Sequence, residues 1–261
     1  MHTGRDIEID YIQARKDRYG SGMGIGIVLL EDVYPAFPGD VRNPSGYPFP
    51  IQYELARGVD VYTLVTAEDK SSCLEPILQA ARNLERMGCR AIIGECGYFS
   101  YFQKEISASV RVPVFTSSLL QVPLAQQAMG SDKTVGILVA QAKYITDHHL
   151  RAVGIDPNSN FVLAGAMDSG ACGELDHLWT RSKRTDPPAA RFEKAKTEFV
   201  RQGLSIYHQH PSMGAMVLEC TGFPPFGRAL QREIDIPIFS YGTLLDYAYS
   251  VVVHREYYGH V

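Results

Sequence analysis

Short, wholly apolar runs alternate with amphipathic stretches along most of the chain. Ile25–Leu30 (IGIVLL) predicts a strand buried on both faces, and Val59–Val65 predicts a second. From Cys73 to Arg86 the apolar positions Leu74, Ile77, Leu78, Ala81 and Leu84 share one helical face. Gly88 then supplies the residue type that ends helices in a left-handed conformation. Arg90–Gly94, Val112–Thr116, Val135–Val139, Phe161–Ala164, Ala215–Leu218 and Ile236–Phe239 add further short strands, most of them separated by helical stretches. Such alternation predicts parallel sheets with helices on both faces. The glycine-rich run Gly20–Gly26 precedes its strand. A dinucleotide fingerprint must follow a strand and open a helix, so this run is read as a flexible lead-in.

The chain also repeats itself. Laid over one another without a gap, the stretches from Ala91 and Ala215 align Glu95-Cys96 with Glu219-Cys220, Phe99 with Phe223, Phe102 with Phe226, Pro113 with Pro237 and Phe115 with Phe239. Upstream, Gly26-Ile27-Val28-Leu29 resembles Gly136-Ile137-Leu138-Val139. Two related halves are therefore expected, each ending a buried strand in Glu-Cys with a helix beginning just after it. Ligands of open α/β sheets bind beyond the C-terminal strand ends, where both cysteines fall.

Composition narrows the class. Of 261 residues, 45% are hydrophobic and 21% charged, which excludes disorder as the main state. The formal net charge of −4 argues against a nucleic-acid partner. No apolar run approaches the ~20 residues of a membrane helix, so no membrane partner is expected. Met1–Tyr19 is charged and lacks a signal-peptide core, which points to a cytoplasmic location. The five cysteines are odd in number and widely spaced, against a disulfide framework. No zinc-type spacing occurs, so no metal is expected.

The chemistry then rests on Cys96 and Cys220. A cysteine at a helix N-terminus meets exposed N–H groups and the positive end of the helix dipole, which favour thiolate. Two such thiols on opposite sides of a small acid could act as base and acid, one removing the proton beside the carboxylate and the other donating on the opposite face, without a cofactor. Cys73 and Cys89 are read as packing residues, with Cys172 a lesser candidate in its glycine-rich loop. Glu95 and Glu219 point away from the cysteines by strand alternation and are read as structural, bonded to backbone or an arginine. The long segment from Glu31 to Tyr47 is read as a substrate-covering loop, in which Asp40, Arg42, Asn43 and Tyr47 are candidates for holding substrate. Thr116, Ser117 and Ser240-Tyr241 leave matching strands, where hydroxyls could bind carboxylate oxygens or cap helices.

Two halves, each with strand–Cys–helix, resemble the aspartate/glutamate racemase superfamily, which includes hydantoin racemases, maleate isomerases and arylmalonate decarboxylases. The likeness runs from about Ile25 to His254 and is strongest at Gly94-Glu95-Cys96 and Leu218-Glu219-Cys220-Thr221-Gly222. It implies two pseudo-symmetric, flavodoxin-like, three-layer α/β domains with parallel sheets, 1–119 plus 241–261 and 120–240, around a cleft that holds the active site. It implies catalytic roles for Cys96 and Cys220, substrate contacts from Gly97, Tyr98, Thr221 and Gly222, and self-association into a homo-oligomer. The family's amino-acid racemases follow the first cysteine with Asn-Thr; Gly97-Tyr98 stand there in this chain, whereas Thr221 is kept. The expected activity is a cofactor-independent racemase or epimerase acting on a small carboxylate such as an amino acid or hydantoin. Close behind stand isomerisation, decarboxylation or desulfurisation of a thiohydantoin-like acid by the same cysteines. A non-catalytic small-acid binding protein and a redox sensor closing a Cys96–Cys220 disulfide are the rivals from other classes.

Overall fold

A computed structural model describes Tyr11, residues 13–168 and residues 170–257. Most of the Met1–Tyr19 stretch, on which the expectation of no leader rests, lies outside the described residues. Two four-stranded parallel sheets form the frame. The first holds β1 (Ile25–Leu30), β2 (Ile51–Ala56), β3 (Ala91–Gly94) and β4 (Val114–Phe115) in the order β2-β1-β3-β4. The second holds β5 (Thr134–Val139), β6 (Phe161–Gly165), β7 (Met213–Leu218) and β8 (Ile238–Phe239) in the order β6-β5-β7-β8. The identical orders bear out the repeat seen in the sequence.

Alternation along the strands assigns the layers. In the first sheet Val28, Leu30 and Ile92 face α1 (Ser71–Arg86), packing on Cys73, Ile77, Ala81 and Leu84. The opposite face, Ile25, Ile27, Ala91 and Ile93, is covered by Tyr241, Leu244, Leu245 and Ala248. Those four residues lie on the helix Tyr241–Val252, which packs against the first sheet. In the second sheet Leu138, Met216 and Leu218 pack with Leu175, Phe199 and Phe226, while Val135, Ile137, Ala215 and Val217 pack with Leu119, Val122 and Leu150. Each sheet is thus the middle of three layers, and nearly every position of the central strands β1, β3, β5 and β7 is buried.

One expected strand is absent. Val59–Val65 forms a turn and then a π-helical turn, Tyr62–Thr66, whose Leu64 and Val65 drop into the core. The true neighbour of β1 is β2, an edge strand that is only half buried and carries polar Gln52 and Glu54 among its apolar residues. The apolar run follows core contact and not pairing. The helix over 73–86, the Gly88 terminus at φ +92° and the remaining strands agree with expectation within a few residues. Among the described residues no helix is long and apolar enough to cross a membrane.

Candidate active site

Four strand ends meet at one cavity of about 590 Å³. Leu30 ends β1, Glu95-Cys96 follows β3, Ala140-Gln141 follows β5, and Glu219-Cys220 follows β7; all line it. The two cysteine turns are built alike. Glu95 N–H donates to the Val28 carbonyl at 2.9 Å, and Glu219 N–H donates to the Leu138 carbonyl at 2.8 Å. The next turn closes with Phe99 N–H on the Cys96 carbonyl at 2.9 Å and Phe223 N–H on the Cys220 carbonyl at 3.1 Å. Phe99 and Phe223, both fully buried, anchor the turns in their respective cores. The sequence repeat is therefore the pair of turns that aims two thiols into one space.

Both sulfurs keep some surface, which opens on the cavity, but protein encloses them otherwise. The consequence departs from the thiolate expectation. Burial pushes the Cys96 thiol well above its ordinary value, and the charges of Glu219 and Glu95 push the same way, against the Tyr98 N–H and Arg42. Burial does the same to Cys220, with the nearby Glu219 adding to it and the Gly222 N–H opposing. The turn N–H groups are there, as the sequence implied, but desolvation outweighs them. At rest both thiols carry their protons.

The two glutamates differ sharply. Glu95 accepts from Arg42 Nε at 2.7 Å and Nη2 at 3.1 Å, from Tyr34 OH at 2.7 Å and from Leu30 N–H at 2.9 Å. That is the structural role expected of it. Glu219 departs from expectation: it is fully buried and neither carboxyl oxygen makes a hydrogen bond of ordinary geometry. Burial raises it to about 8, with the Ala140 N–H opposing.

The segment 31–47 runs over the cleft from the first half to the second. Asp32 meets Arg184 through two bonds, at 2.5 and 2.8 Å, Phe37 packs edge-on against Phe192 and Phe226, and Gly39 abuts Pro225. Its covering position agrees with the sequence reading, but the residues that reach the cavity are Asp32 and Tyr34. Asn43 instead caps the short turn Pro44–Gly46 and donates to the Ala36 carbonyl, and Tyr47 OH donates to the Gly39 carbonyl. Asp40 is buried, accepts from the Arg42 N–H at 2.8 Å, and is raised by burial to about 7.

Among the other candidates, Gly97, Tyr98 and Thr221 line the cavity beside the cysteines. Gly222 lies behind the wall, pressed against Trp179, where a Cβ would come within 2.3 Å of the indole. Thr116 donates to Gln103 Oε1, Ser117 caps Leu119 N–H, and fully buried Tyr241 donates to the Thr116 carbonyl. These three pin elements together behind the site and do not line the cavity. Further wall residues had no signal of their own in the sequence: Val61, then Tyr62, Val65 and Thr66 from the π-helical turn, Gln141, Tyr144, Met167 and Thr180–Ser182; Trp179, readable from its loop as either a lid or a packing residue, lines the cavity with them. The rings of Tyr34, Tyr62, Tyr98, Tyr144 and Trp179 make much of this wall aromatic. Arg181 is the cavity's cation and stands two-thirds exposed at the mouth, paired with Asp60 at 3.2 Å. Among the described residues no group of three or more His, Cys, Asp or Glu is placed to hold a metal ion.

No protein-family profile matches the chain. By sequence it is 26% identical over 225 residues to a dimethylsulfoniopropionate lyase of Durusdinium sp. clade D, covering 82% of this chain and 70% of that protein. It is 25% identical over 223 residues to dimethylsulfoniopropionate lyase 3 of Emiliania huxleyi (strain CCMP1516), covering 82% of this chain but 56% of the relative. The chain thus spans little more than half the length of the Emiliania protein. By structure it superposes on arylmalonate decarboxylase with a TM-score of 0.55 at 15% identity, covering 88% of this chain and 92% of the other. It superposes on an aspartate racemase homologue from Pyrococcus horikoshii OT3 with a TM-score of 0.54 at 13% identity, covering 88% and 98%. At such identities the structural likeness is one of fold.

Proposed function

We propose that this chain, which has the fold of the aspartate/glutamate racemase superfamily and diverges from it just after Cys96, is a lyase that removes a proton beside a carboxylate and expels a leaving group from the next carbon. The observation that carries this reading is the pair of matched turns that direct Cys96 and Cys220 into one enclosed cavity. Two relatives by sequence bear the name of a reaction of this kind, and the reading extends it to this chain.

Dimethylsulfoniopropionate joins a sulfonium cation to a carboxylate through two carbons. A cysteine thiolate takes a proton from the carbon beside the carboxylate. The C–H electron pair becomes the new C=C bond, the C–S bond breaks, and dimethyl sulfide leaves with its electron pair. Acrylate and a neutral thiol remain, and the thiol returns its proton to solvent. The aromatic wall suits the sulfonium, since ring faces attract cations by about 0.5–2 kcal/mol each. The positive substrate also answers the protonated resting state: a cation brought beside a buried thiol favours its ionisation, so the base is formed where and when substrate binds.

Racemisation is the second reading, favoured by the presence of two thiols where elimination needs one base. The absence of Asn-Thr after Cys96 weighs against an α-amino acid as its substrate.

The test is headspace detection of dimethyl sulfide together with proton NMR in D₂O, on the wild type, Cys96→Ser and Cys220→Ser. The expected result is release of dimethyl sulfide and acrylate by the wild type and a loss of at least ~100-fold in the variant that lacks the base. Deuterium entry into amino acids or hydantoins without elimination would move the reading to racemisation. No turnover of any of these compounds would remove the lyase proposal.

A further inference from the structure

Of the two glutamates that precede the cysteines, one is saturated and the other is not. Glu95 holds four hydrogen bonds and the Arg42 guanidinium. Glu219, at the equivalent place, is fully buried and lines the cavity; neither oxygen makes a hydrogen bond of ordinary geometry, although the Ala140 N–H lies near enough to act on the carboxyl. A buried polar group left unpaired costs roughly 1–3 kcal/mol, so its retention calls for a partner that arrives from outside. Its position is specific. A Cβ at Gly97 would stand 1.9 Å from Glu219 Oε1, so the carboxyl fills the space a side chain at 97 would take, against the turn that carries Cys96. Cys220 follows it directly in the chain. The acid therefore lies beside both cysteine turns, close enough for its charge to act on each thiol.

No cation faces it. Arg42 is committed to Glu95, and Arg181 stands at the mouth with Asp60. The titratable groups around it are Cys96, Cys220, Tyr98 and Tyr241, all of which burial holds in their neutral forms. A substrate carboxylate reaching this floor finds backbone N–H groups and this carboxyl, but no guanidinium or ammonium.

We infer that the Glu219 carboxyl donates its O–H to the substrate carboxylate and holds that group between Cys96 and Cys220. The inference rests on the reading that the site takes a small carboxylate. An acid–carboxylate bond is short and charge-assisted. It strengthens as the proton leaves the neighbouring carbon and negative charge spreads onto the carboxylate, so the same bond serves binding and the transition state. Burial keeps the proton on Glu219 up to about pH 8, which is what a donor at neutral pH requires.

The test uses propionate, which has the carboxylate but no leaving group, so binding is measured whether or not the lyase reading stands. Calorimetric titrations would be run between pH 6.5 and 9 on the wild type, Glu219→Gln and Glu219→Ala. The wild type is expected to bind, with affinity that is level near neutrality and falls above about pH 8 as the acid ionises. Gln keeps a neutral donor, so its affinity should stay within about threefold of wild type and lose the alkaline fall, whereas Ala should lose about tenfold or more at pH 7. Should the Ala variant not fold, the wild-type and Gln profiles decide. The inference is overturned if the wild type does not bind propionate, if its affinity does not fall by pH 9, or if Gln binds as weakly as Ala. It is equally overturned if trimethylsulfonium binds more tightly as pH rises and this gain is lost in Glu219→Gln, since Glu219 would then be an anion gripping the cationic end.

Discussion

Replacing Arg42 with Met isolates the anchor of the covering loop. Arg42 meets Glu95 through two hydrogen bonds, at 2.7 and 3.1 Å, and also donates to the carbonyls of Asp32 at 2.6 Å and Leu30 at 2.9 Å. Their side chains are 11% and 2% exposed, so neither charge is relieved by water. Met retains most of the apolar stem but removes the counter-charge, half of the hydrogen bonds to Glu95 and the donors to two carbonyls. Breaking a buried pair from one side costs about 3–5 kcal/mol, because the other charge is stranded. Against a typical total of ~5–15 kcal/mol, a urea midpoint should fall by more than about 1 M. Adding Glu95→Gln removes the stranded charge while keeping an acceptor oxygen for Leu30 N–H and placing an amide NH2 that can donate to the Tyr34 hydroxyl oxygen. The double variant should therefore be more stable than Arg42→Met alone by about 2 kcal/mol. Urea denaturation at fixed pH, followed by circular dichroism, gives all four corners of the cycle. A loss below ~1 kcal/mol for Arg42→Met, or a double variant no more stable than the single, would refute the assignment of Arg42 as the neutraliser of Glu95.

Other outcomes follow from the site. Glu219 ionises near 4.5 in the unfolded chain but holds its proton to about 8 when folded, so the stability due to its burial is full below 4.5 and is lost as pH rises toward 8. Glu219→Gln should gain on the wild type by up to ~1.4 kcal/mol per pH unit between pH 5 and 8, and parallel urea curves at both pH values would contradict this. Cys96 and Cys220 should alkylate with iodoacetamide more slowly at pH 7.5 than a free thiol does, since burial holds their protons, and a fast reaction at either would show a resting thiolate. Arg184→Ala strands Asp32 and should cost about 3 kcal/mol while raising protease sensitivity in 31–47; unchanged proteolysis would mean this pair does not fasten the loop. Trp179, the chain's single tryptophan, forms part of the cavity wall, so a ligand that fills the cavity should shift its emission saturably, and an unchanged spectrum with ligand demonstrably bound would place that ligand elsewhere.

The frame of the fold was legible because buried parallel strands are uninterrupted apolar runs and because the chain repeats its own turn. Pairing Cys96 with Cys220 needed nothing beyond the register of Phe99 with Phe223 and Pro113 with Pro237. The misplacement of β2 has the same root. Val59–Val65 is apolar because Leu64 and Val65 fill the core from a turn, whereas β2, at a sheet edge, mixes polar and apolar positions. The fates of Asn43, Tyr47 and Asp40 depended on which way a long loop folds back on itself, and spacing holds no record of that. Glu95 and Glu219 could not be told apart by sequence, since both occupy the same place in the repeat. What separates them is a distant Arg42 that reaches one and not the other.

The halves are fastened at several points: Tyr98 OH donates to the Gln141 carbonyl at 2.7 Å, Ser118 Oγ to the Leu218 carbonyl at 2.7 Å, and Thr243 Oγ1 to Gln121 Oε1 at 2.7 Å. Swinging the halves apart would break these bonds together and expose their buried partners. Traffic into the cavity is thereby confined to the rim formed by Tyr62–Thr66 and Thr180–Ser182, where Tyr62 and Arg181 are already exposed. If the halves stay fastened, the width of that rim decides which molecules enter, and an enzyme built this way would turn bulky compounds away before any chemistry begins.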